Sequence, residues 1–413
     1  MLDREELIPV EKALEILLKH TPFEKLSEVK LPIEDSYSKI ISRDIISPED
    51  IPSFSRSTVD GFALNSSDTF GATESMPAYL LIKAEIFMGE EPVFRLKKGE
   101  VAKISTGGML PEGADSVVMF EHTQQIDEKM VEVVKPIAPG ENVVQAGEDI
   151  RGSECILKKG HRLRPQDIGA LASIGITDVW AYENPRVSII STGDEIVPID
   201  KPVKVGQVRD INSYTLSGLT LNAGGIPIRR GIVHDKYDVL KGVVEESIKD
   251  SDMVLISGGS SVGTKDMTEK VINDMGKPGV LFHGVSIKPG KPLIGGIVNN
   301  IPIFGLPGHP SAVIVCFNVF VKPVLEKLSG LREDAEKNKR TVRAKISKNI
   351  SSSPGREEHV GVFFEQRNGE TWAVPLLGKS GLITTLVKAD GVAVIPLRKL
   401  GVKEGEIVEV RLF

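Results

Sequence analysis

The sequence contains few cysteines and no apolar run long enough to cross a membrane. Cys155 and Cys316 are the two cysteines among 413 residues. Both lie in apolar company, which indicates buried thiols in a reducing compartment rather than a disulfide. The longest apolar stretches, such as 311–321, fall well short of the ~20 residues that span a bilayer. The charged, amphipathic N-terminus is unlike a signal peptide. We therefore expect a cytoplasmic protein that makes no membrane contact.

The sequence also lacks blocks of basic residues and clusters of histidine. Its 51 basic and 57 acidic side chains give a net charge of −6, and no basic stripe interrupts this balance, so a nucleic-acid partner is not expected. The seven histidines are scattered without the spacing of metal ligands, which argues against a structural zinc site.

The length of the chain predicts two to four domains, because 413 residues exceed what one compact core can hold. Residues 46–140 show short alternating strands between turns and predict a mostly β domain. We expect this domain to be inserted between 1–45, which begins with an amphipathic helix, and 141–182; these two segments would form a linking α+β domain. Residues 183–330 predict an α/β domain. Residues 331–413 predict a small β barrel, with a sandwich as the alternative.

The α/β segment alternates apolar strands with helices. The pattern predicts strands over 187–191, 226–233, 253–257 and 301–306, and helices over 213–223, 236–249, 267–274 and 310–328. Strands that are apolar nearly throughout indicate a parallel sheet covered by helices on both faces, in three layers. Asp235 is expected to cap the second of these helices.

A glycine-rich turn follows the third of these strands. Gly258, Gly259, Ser260 and Ser261 can present backbone N–H groups to a phosphate, because glycine permits close approach. The run resembles a Walker A loop, but Thr264-Lys265 reverses the required order of lysine and hydroxyl, so a P-loop NTPase is excluded. We favour anion binding over a purely structural turn.

Carboxylates crowd the same region of the sequence. Glu195 follows the first strand, Asp210 precedes a helix, and Asp266 follows the glycine turn. Carboxylates beside a phosphate site indicate a divalent cation between them, and Mg²⁺ is held in this way. We predict Asp210 and Asp266 as metal ligands, although helix capping is an equally good interpretation of Asp210.

Two further segments predict contacts with an anion. Lys288 and Lys291 lie in KPGKP, where prolines stiffen the backbone and so reduce the entropy lost on binding an oxyanion such as phosphate, sulfate or molybdate. Pro307 and Gly308 precede a long apolar helix whose N-terminal N–H groups favour an anion. His309 between them and the helix is interpreted as a turn residue rather than a catalyst.

Together the motifs of the chain are similar to those of the molybdopterin molybdenumtransferase family, MoeA-type proteins related to the C-terminal part of gephyrin. The resemblance spans essentially the whole chain and rests on eight segments in the family's order: VDGFA, STGGMLPEGADSVVMFE, GEDIRG, STGDE, GQVRDIN, SGGSSVGTKD, KPGKP and LPGHP. It implies four domains, with a molybdopterin-binding α/β domain at the centre. It also implies a homodimer in which the β domain of the other subunit completes the site.

The resemblance implies a reaction that the residues alone do not reveal. Adenylylated molybdopterin and molybdate would give molybdenum cofactor and AMP, with Mg²⁺ required, and a molybdopterin adenylyltransferase would be a partner. The positions matching functional residues of the family are Asp60, Thr106, Asp149, Glu195, Asp210 and Asp266. The glycine turn would hold the pterin phosphate, the two lysines would hold molybdate, and Arg356 and Ser380 would be the last domain's contribution.

Two departures and two alternatives remain. Val143–Ala146 replaces basic residues common in the family before GEDIRG, and His309–Ala312 replaces the usual NPVS, so oxyanion affinity or metal preference could differ and tungstate could replace molybdate.

A non-catalytic molybdopterin carrier or scaffold is one alternative function. A molybdopterin adenylyltransferase is the other, although the additional domains on both sides of the α/β segment argue against it.

Overall fold

The computed structural model describes residues 7–21, 27–258, 262–332, 341–378, 381 and 383–413, with only the backbone described over 262–266. The helices are α1 (Val10–His20), α2 (Pro165–Ser173), α3 (Asn212–Asn222), α4 (Tyr237–Asp250), α5 (Val262–Met275), α6 (Pro310–Cys316), α7 (Lys322–Leu328) and α8 (Ile383–Val387). A π-helical turn, Phe317–Val321, joins α6 to α7.

The strands are numbered in chain order. They are β1 (Glu28–Pro32), β2 (Ile45–Ile46), β3 (Arg56–Ser57), β4 (Gly61–Leu64), β5 (Ala78–Ile86), β6 (Glu100–Ile104), β7 (Ser116–Met119), β8 (Thr123–Gln125), β9 (Met130–Val133), β10 (Val143–Val144), β11 (Cys155–Leu157), β12 (Asp178–Tyr182), β13 (Arg186–Thr192), β14 (Ile196–Val197), β15 (Val208–Arg209), β16 (Ile226–Val233), β17 (Met253–Gly258), β18 (Pro278–His283), β19 (Ile287–Lys288), β20 (Ile294–Val298), β21 (Ile301–Leu306), β22 (Thr341–Ile346), β23 (Ile350–Ser351), β24 (Glu357–Arg367), β25 (Glu370–Pro375), β26 (Gly391–Ile395), β27 (Gly401–Val402) and β28 (Ile407–Leu412).

The chain divides into two compact units. One comprises 43–159 and 165–178, and the other comprises 1–42, 160–164 and 179–413. The four-domain division expected from the sequence stays a prediction. Among the described residues, no helix is both long and apolar enough to cross a membrane.

The larger unit contains a six-stranded sheet with the order β16-β13-β17-β21-β20-β18. Strands β16, β13, β17 and β21 are mutually parallel, so their carboxyl ends lie at one edge, as the sequence predicted. Strands β20 and β18, which the sequence pattern did not predict, add an antiparallel extension to this sheet.

Helices cover both faces of this sheet and give the three layers that the sequence predicted. One core combines inward-facing residues of β13, such as Ile189, with α3, α6 and α7. Helices α4 and α5 pack on the other face, around Leu240, Val244 and Val271. Helix α1 contributes Ala13 and Leu17 to the first core, so its apolar stripe stabilises the sheet.

A small β barrel follows the α/β sheet in the chain and confirms the predicted C-terminal barrel. Strands β24, β25, β22, β28 and β26 lie in this order, and pairing of β24 with β26 closes the ring. Strand β19, which belongs in sequence to the α/β segment, joins this sheet by pairing in parallel with β24. Closure protects the ring strands from open edges, and β19 fixes the KPGKP segment against the barrel.

The smaller unit contains the inserted β region. Its six-stranded sheet has the order β7-β4-β6-β5-β9-β8 and buries Phe62, Leu64, Val118 and Val131. Helix α2 has Pro165 at its start and an αL glycine, Gly175 (φ 72°), after its last turn, and these are the residues preferred at the two positions.

Segments on the two sides of the inserted region pair as expected. Within the larger unit β1 pairs with β12, and within the smaller unit β2 pairs with β11. Both cysteines are free; Cys316 is buried as expected, whereas Cys155 is exposed, contrary to prediction, because the short strand β11 turns its first residue to solvent.

Candidate functional site

The larger unit contains a cavity of about 1270 Å³. Its wall combines the carboxyl ends of β17 and β21, the KPGKP segment, the start of α6, and the inner edge of the barrel around β24. Carboxyl ends of parallel strands are where open α/β sheets bind ligands. Six residues predicted from the sequence lie in this one wall: Gly258, Lys288, Lys291, Pro307, Gly308 and Arg356.

The KPGKP segment presents its lysines from a fixed backbone. Ile287–Lys288 forms β19, and the Ser286 carbonyl accepts a hydrogen bond from Glu357 N at 2.8 Å. The Cys316 thiol underlies the loop and donates to the Gly290 carbonyl at 3.8 Å. Burial raises the pKa of the Cys316 thiol, so this cysteine stays protonated and serves packing rather than nucleophilic chemistry.

The end of β17 approaches β13 closely at Gly258. Its φ is +153°, and a Cβ placed there would lie 1.9 Å from the Thr192 carbonyl oxygen. Only glycine fits both constraints, so this residue allows the end of β17 to lie directly against β13. Gly259, Ser260 and Ser261 lie outside the described residues, and their contacts with an anion stay a prediction.

Asn212 positions the LPGHP segment, a role that the sequence did not suggest. Its buried amide donates to Ser257 Oγ at 3.0 Å and to the Gly308 carbonyl at 2.9 Å. It therefore ties the loop after β21 to the end of β17. The segment GQVRDIN contains this asparagine two residues after Asp210. Of the two, only Asp210 was predicted as a site residue.

The barrel contributes Arg356, Glu358 and His359 to the cavity wall. Lys288 Nζ lies 2.6 Å from Glu358 Oε1, and Glu358 is 7% exposed. Sequence reasoning selected Arg356 in GREEHV and missed Glu358. The missing information was the register of β19 on β24, which places Lys288 directly opposite Glu358. Ser380 lies outside the described residues.

Asp210 is engaged in hydrogen bonds within the protein. Its Oδ1 accepts from Ser191 Oγ at 3.0 Å and from Ser213 N at 3.1 Å, and its Oδ2 accepts from Ser213 Oγ at 2.6 Å. The residue is 7% exposed and lies just before α3. This geometry supports the capping interpretation of Asp210.

We expect Asp210→Ala to destabilise the protein by about 2–3 kcal/mol, because it leaves buried hydroxyl and amide donors unsatisfied. Asp210→Asn should retain most of that stability, because asparagine caps helices as well as aspartate does. Chemical denaturation of both variants measures the difference. Equal losses for the two substitutions would contradict a capping role, and a stable Asp210→Asn variant that needs more Mg²⁺ for activity would restore the metal role.

A second group of carboxylates lies at the ends of β13 and β16. Asp194 Oδ1 accepts from Asp235 N at 3.3 Å and lies 2.9 Å from His234 Nδ1, and this contact with His234 lowers the pKa of Asp194. Burial, followed by the charges of Asp194 and Glu195, raises the pKa of Asp235. Asp235 Oδ1 is buried and has no hydrogen-bond partner among the described residues.

The expectation that Asp235 caps α4 was wrong. Helix α4 begins at Tyr237, with Lys236 as its N-cap and no capping bond from a side chain. Asp235 instead feels the negative charges of Asp194 and Glu195 at this edge of the sheet. In the part of the chain that the structure describes, no three such side chains lie close enough together to hold a metal ion. Asp266 lies within α5, which begins at Val262 rather than at the predicted residue 267; its side chain lies outside the described part of the chain.

In the smaller unit, Asp60 and Thr106 lie together. Asp60 Oδ1 accepts from Thr106 N at 2.7 Å and from Thr106 Oγ1 at 3.1 Å. Both residues are exposed, as is Asp149. The structure thus brings two of these three predicted residues into contact within a polar turn. Their participation in the site stays a prediction.

Three family descriptions match consecutive parts of the chain. They are the MoeA N-terminal region (domain I and II) over 8–175, the probable molybdopterin binding domain over 188–327, and the MoeA C-terminal region (domain IV) over 343–413. A molybdopterin molybdenumtransferase of Bacillus subtilis is 30% identical over all of this chain and 95% of its own length. Another of Haemophilus influenzae is 30% identical over 98% of this chain and 99% of its own length.

A solved structure supports the same assignment. The molybdopterin biosynthesis MoeA protein of Pyrococcus horikoshii is 37% identical and matches with a TM-score of 0.78, over 98% of this chain and 99% of that one. Sequence similarity and backbone similarity thus both extend over 98% or more of this chain. This chain belongs to the MoeA-type molybdopterin molybdenumtransferase family.

Proposed function

We propose that this enzyme inserts molybdate into adenylylated molybdopterin and releases molybdenum cofactor and AMP, as a step of molybdenum cofactor biosynthesis. One observation carries the proposal: Lys288, Lys291 and Arg356 line the same cavity as the glycine-containing strand ends of the α/β sheet. The basic side chains that would bind the oxyanion and the backbone groups that would bind the phosphate therefore line the same cavity. The names of the relatives, molybdopterin molybdenumtransferases, support the same reaction.

The charge of the cavity wall fits a tetrahedral dianion. Lys288, Lys291 and Arg356 carry three positive charges, and Glu358 carries one negative charge. Among the described residues of the wall, positive charge is thus in excess, which suits an oxyanion such as molybdate, and tungstate has nearly the same size and charge. A volume of about 1270 Å³ exceeds that of a typical small-molecule site, so it can hold a pterin and an oxyanion together.

The residues of this chain would act mainly by positioning and by electrostatic stabilisation. The lysines and Arg356 would bind the oxyanion, and Gly258 with Gly308 would allow close approach of the pterin phosphate. Substitution of sulfur for oxygen around the bound metal then needs no side-chain nucleophile, which agrees with the buried, protonated Cys316. Preorganised charge of this kind accounts for a large part of many enzymatic rate enhancements.

Magnesium dependence is part of the proposal. Mg²⁺ is bound by one or two carboxylates together with substrate phosphates and water, and the described residues fit such a sparse site better than an all-protein cage. Glu195 and Asp235 would hold the ion, because Asp235 keeps a buried oxygen without a partner in the described part of the chain. Asp266 remains a predicted ligand. Bound there, the ion would supply charge neutralisation to the phosphate groups.

Release of AMP tests the proposed function. Purified protein given adenylylated molybdopterin, Mg²⁺ and molybdate should release AMP, and omission of molybdate or Mg²⁺ should reduce release at least about 10-fold, since each supplies charge stabilisation at the reacting centre. Tungstate in place of molybdate measures metal preference. Folded protein that binds molybdopterin without releasing AMP would support a carrier, and pyrophosphate formation from ATP and molybdopterin would support an adenylyltransferase.

A further inference from the structure

The fold fixes the backbone around His309 in the cavity wall. Pro307 and Pro310, both buried, lie on either side of the pair Gly308-His309. The Gly308 carbonyl accepts a hydrogen bond from the Asn212 amide at 2.9 Å, and the His309 carbonyl accepts one from a backbone N–H of α6 at 3.0 Å. Proline fixes φ and the two hydrogen bonds hold the carbonyls, so the position of the His309 Cα is set before any ligand binds.

The side chain of His309 makes no hydrogen bond within the described part of the chain. His309 is the N-cap residue of α6, a position where side chains often accept a hydrogen bond from the helix, yet it makes no such bond. The other histidine of the wall, His359, is buried, and its Nε2 lies 2.8 Å from Glu357 Oε1. His309 is instead exposed in the wall. Because binding sites orient their ligands with a few polar groups of this kind, its imidazole is a candidate contact.

The imidazole lies where the α/β side of the cavity meets the barrel side. A Cβ placed on Gly381 would lie 3.6 Å from His309 Cδ2, and both residues line the cavity. Gly381 follows Ser380, which the sequence predicts as a contact of the oxyanion. The two lysines of KPGKP and Arg356 line the same wall. His309 therefore shares its cavity with the cations that would bind the oxyanion.

We propose that His309 donates a hydrogen bond to an oxygen of the bound oxyanion and thereby sets the affinity of the site for molybdate. The inference rests on the proposed function, since it adds one contact to the same oxyanion site. Imidazole carries an N–H group in both neutral tautomers and in its protonated form, so the contact needs no change of protonation. In its neutral form it adds a hydrogen bond without adding charge to a wall in which positive charge is already in excess.

Preorganisation of the backbone favours this contact. Because the Cα of His309 is fixed, binding has to order only the short imidazole side chain. A lysine at the same position would lose more rotamer freedom when it bound an anion. The contact with Gly381 restricts the ring further on the barrel side. His309 can therefore donate to the oxyanion at a small cost in entropy.

Calorimetric titration with sodium molybdate, at constant pH and ionic strength, tests the inference. His309→Leu keeps a similar volume and removes both ring nitrogens, and it should weaken binding about tenfold, as expected for the loss of one hydrogen bond to a charged group. His309→Asn and His309→Gln place an amide near the positions of Nδ1 and Nε2, respectively. At least one of them should bind within about threefold of the wild type, and it identifies the nitrogen that donates.

His122→Leu is the matched control. No hydrogen bond of the His122 side chain is found among the described residues either, and His122 lies in the smaller unit, outside the cavity wall. This variant should bind molybdate as the wild type does. Circular dichroism shows that each variant is folded, which we expect because His309 is exposed and belongs to none of the apolar cores.

Steady-state rates of AMP release give a second readout, which a loss of stability would not reproduce. The contact is made with the bound oxyanion in the ground state and in the transition state alike. His309→Leu should therefore raise the KM for molybdate about tenfold and change kcat by less than about twofold. An equal fall of kcat and kcat/KM would overturn the assignment of His309 to oxyanion binding.

A parallel titration with AMP separates the oxyanion from the phosphate of the nucleotide. Weaker binding of AMP alone would overturn the inference and assign His309 to the phosphate. Molybdate binding by His309→Leu within about threefold of the wild type, or equal losses in all three His309 variants, would overturn it while leaving the oxyanion site intact. Failure of the wild type to bind molybdate would overturn the proposed function as well.

Discussion

Replacement of Lys288 by methionine is expected to reduce molybdate-dependent AMP release by about 100-fold, the effect typical of removing one preorganised charge from a reacting centre. The ammonium lies in the cavity wall, 2.6 Å from Glu358 Oε1, and methionine keeps the length of the side chain without its charge. The initial rate of AMP release at saturating molybdopterin adenylate measures the effect. A rate within threefold of the wild type, as a rough threshold, would remove Lys288 from the site.

Two further variants separate lost charge from lost stability. Lys288→Met leaves the buried Glu358 carboxylate without its cation; since the Lys288 side chain is 47% exposed, the cost should be lower than the about 3–5 kcal/mol of a fully buried pair. The double variant with Glu358→Gln should recover that stability but remain slow. Lys345→Met is the matched control, because Lys345 is another barrel lysine in an ion pair, with Glu370 at 2.5 Å, and lies outside the cavity wall. Its activity should equal that of the wild type.

Gly258→Ala is expected to destabilise the protein by at least about 3 kcal/mol, because a methyl group at this position requires both strained backbone and displacement of a neighbouring strand. The new Cβ would lie 1.9 Å from the Thr192 carbonyl oxygen, at a φ of +153°. Relief of this overlap must separate β17 from β13 at the edge that forms the site. We therefore expect loss of AMP release in whatever fraction remains folded. Guanidinium denaturation measures the stability.

Gly218→Ala provides the contrast for this substitution. Gly218 lies within α3, and a Cβ there would meet nothing within 4 Å. Alanine should therefore stabilise the protein by about 0.5–1 kcal/mol, through higher helix propensity and a less flexible unfolded chain. Similar stability of the two variants would contradict the close contact of β17 with β13.

Local pattern predicted most of the α/β layer and failed where packing overrides it. The apolar periodicity of the sequence predicts the four parallel strands and the helices between them, and tertiary packing agrees with that local pattern. Strand β20 was missed, because Gly295 and Gly296 resemble a loop in sequence. The structure needs them in a strand: a Cβ on Gly295 would lie 2.5 Å from Phe282 Cζ, and one on Gly296 would lie 2.9 Å from the Gly279 carbonyl. Helix α5 likewise begins earlier than its glycine and threonine suggest, since buried Val271 and Ile272 anchor it to the sheet.

Sequence pattern selected residues of the cavity wall where a single motif supplies that wall, and it missed them where two distant segments meet; their binding of an anion stays a prediction. KPGKP and LPGHP each signal anion binding by composition, and both line the cavity. Glu358 was missed because its meaning depends on the pairing of β19 with β24 across some 70 residues of chain. Asp235 was misinterpreted for a similar reason: an aspartate before a helix resembles a cap, and only the fold brings Asp194 and Glu195 beside it.

Strand β19 has a consequence for engineering this enzyme. Ile287 and Lys288 follow the α/β sheet in sequence, yet their ladder partners, Glu357 and Glu358, belong to the barrel. A protein truncated before residue 341 would therefore lose the template that shapes its lysine loop, even with every lysine retained. Chimeras that exchange barrels between relatives must carry a β24 that is compatible with β19. Otherwise β19 will pair with the new barrel in the wrong register.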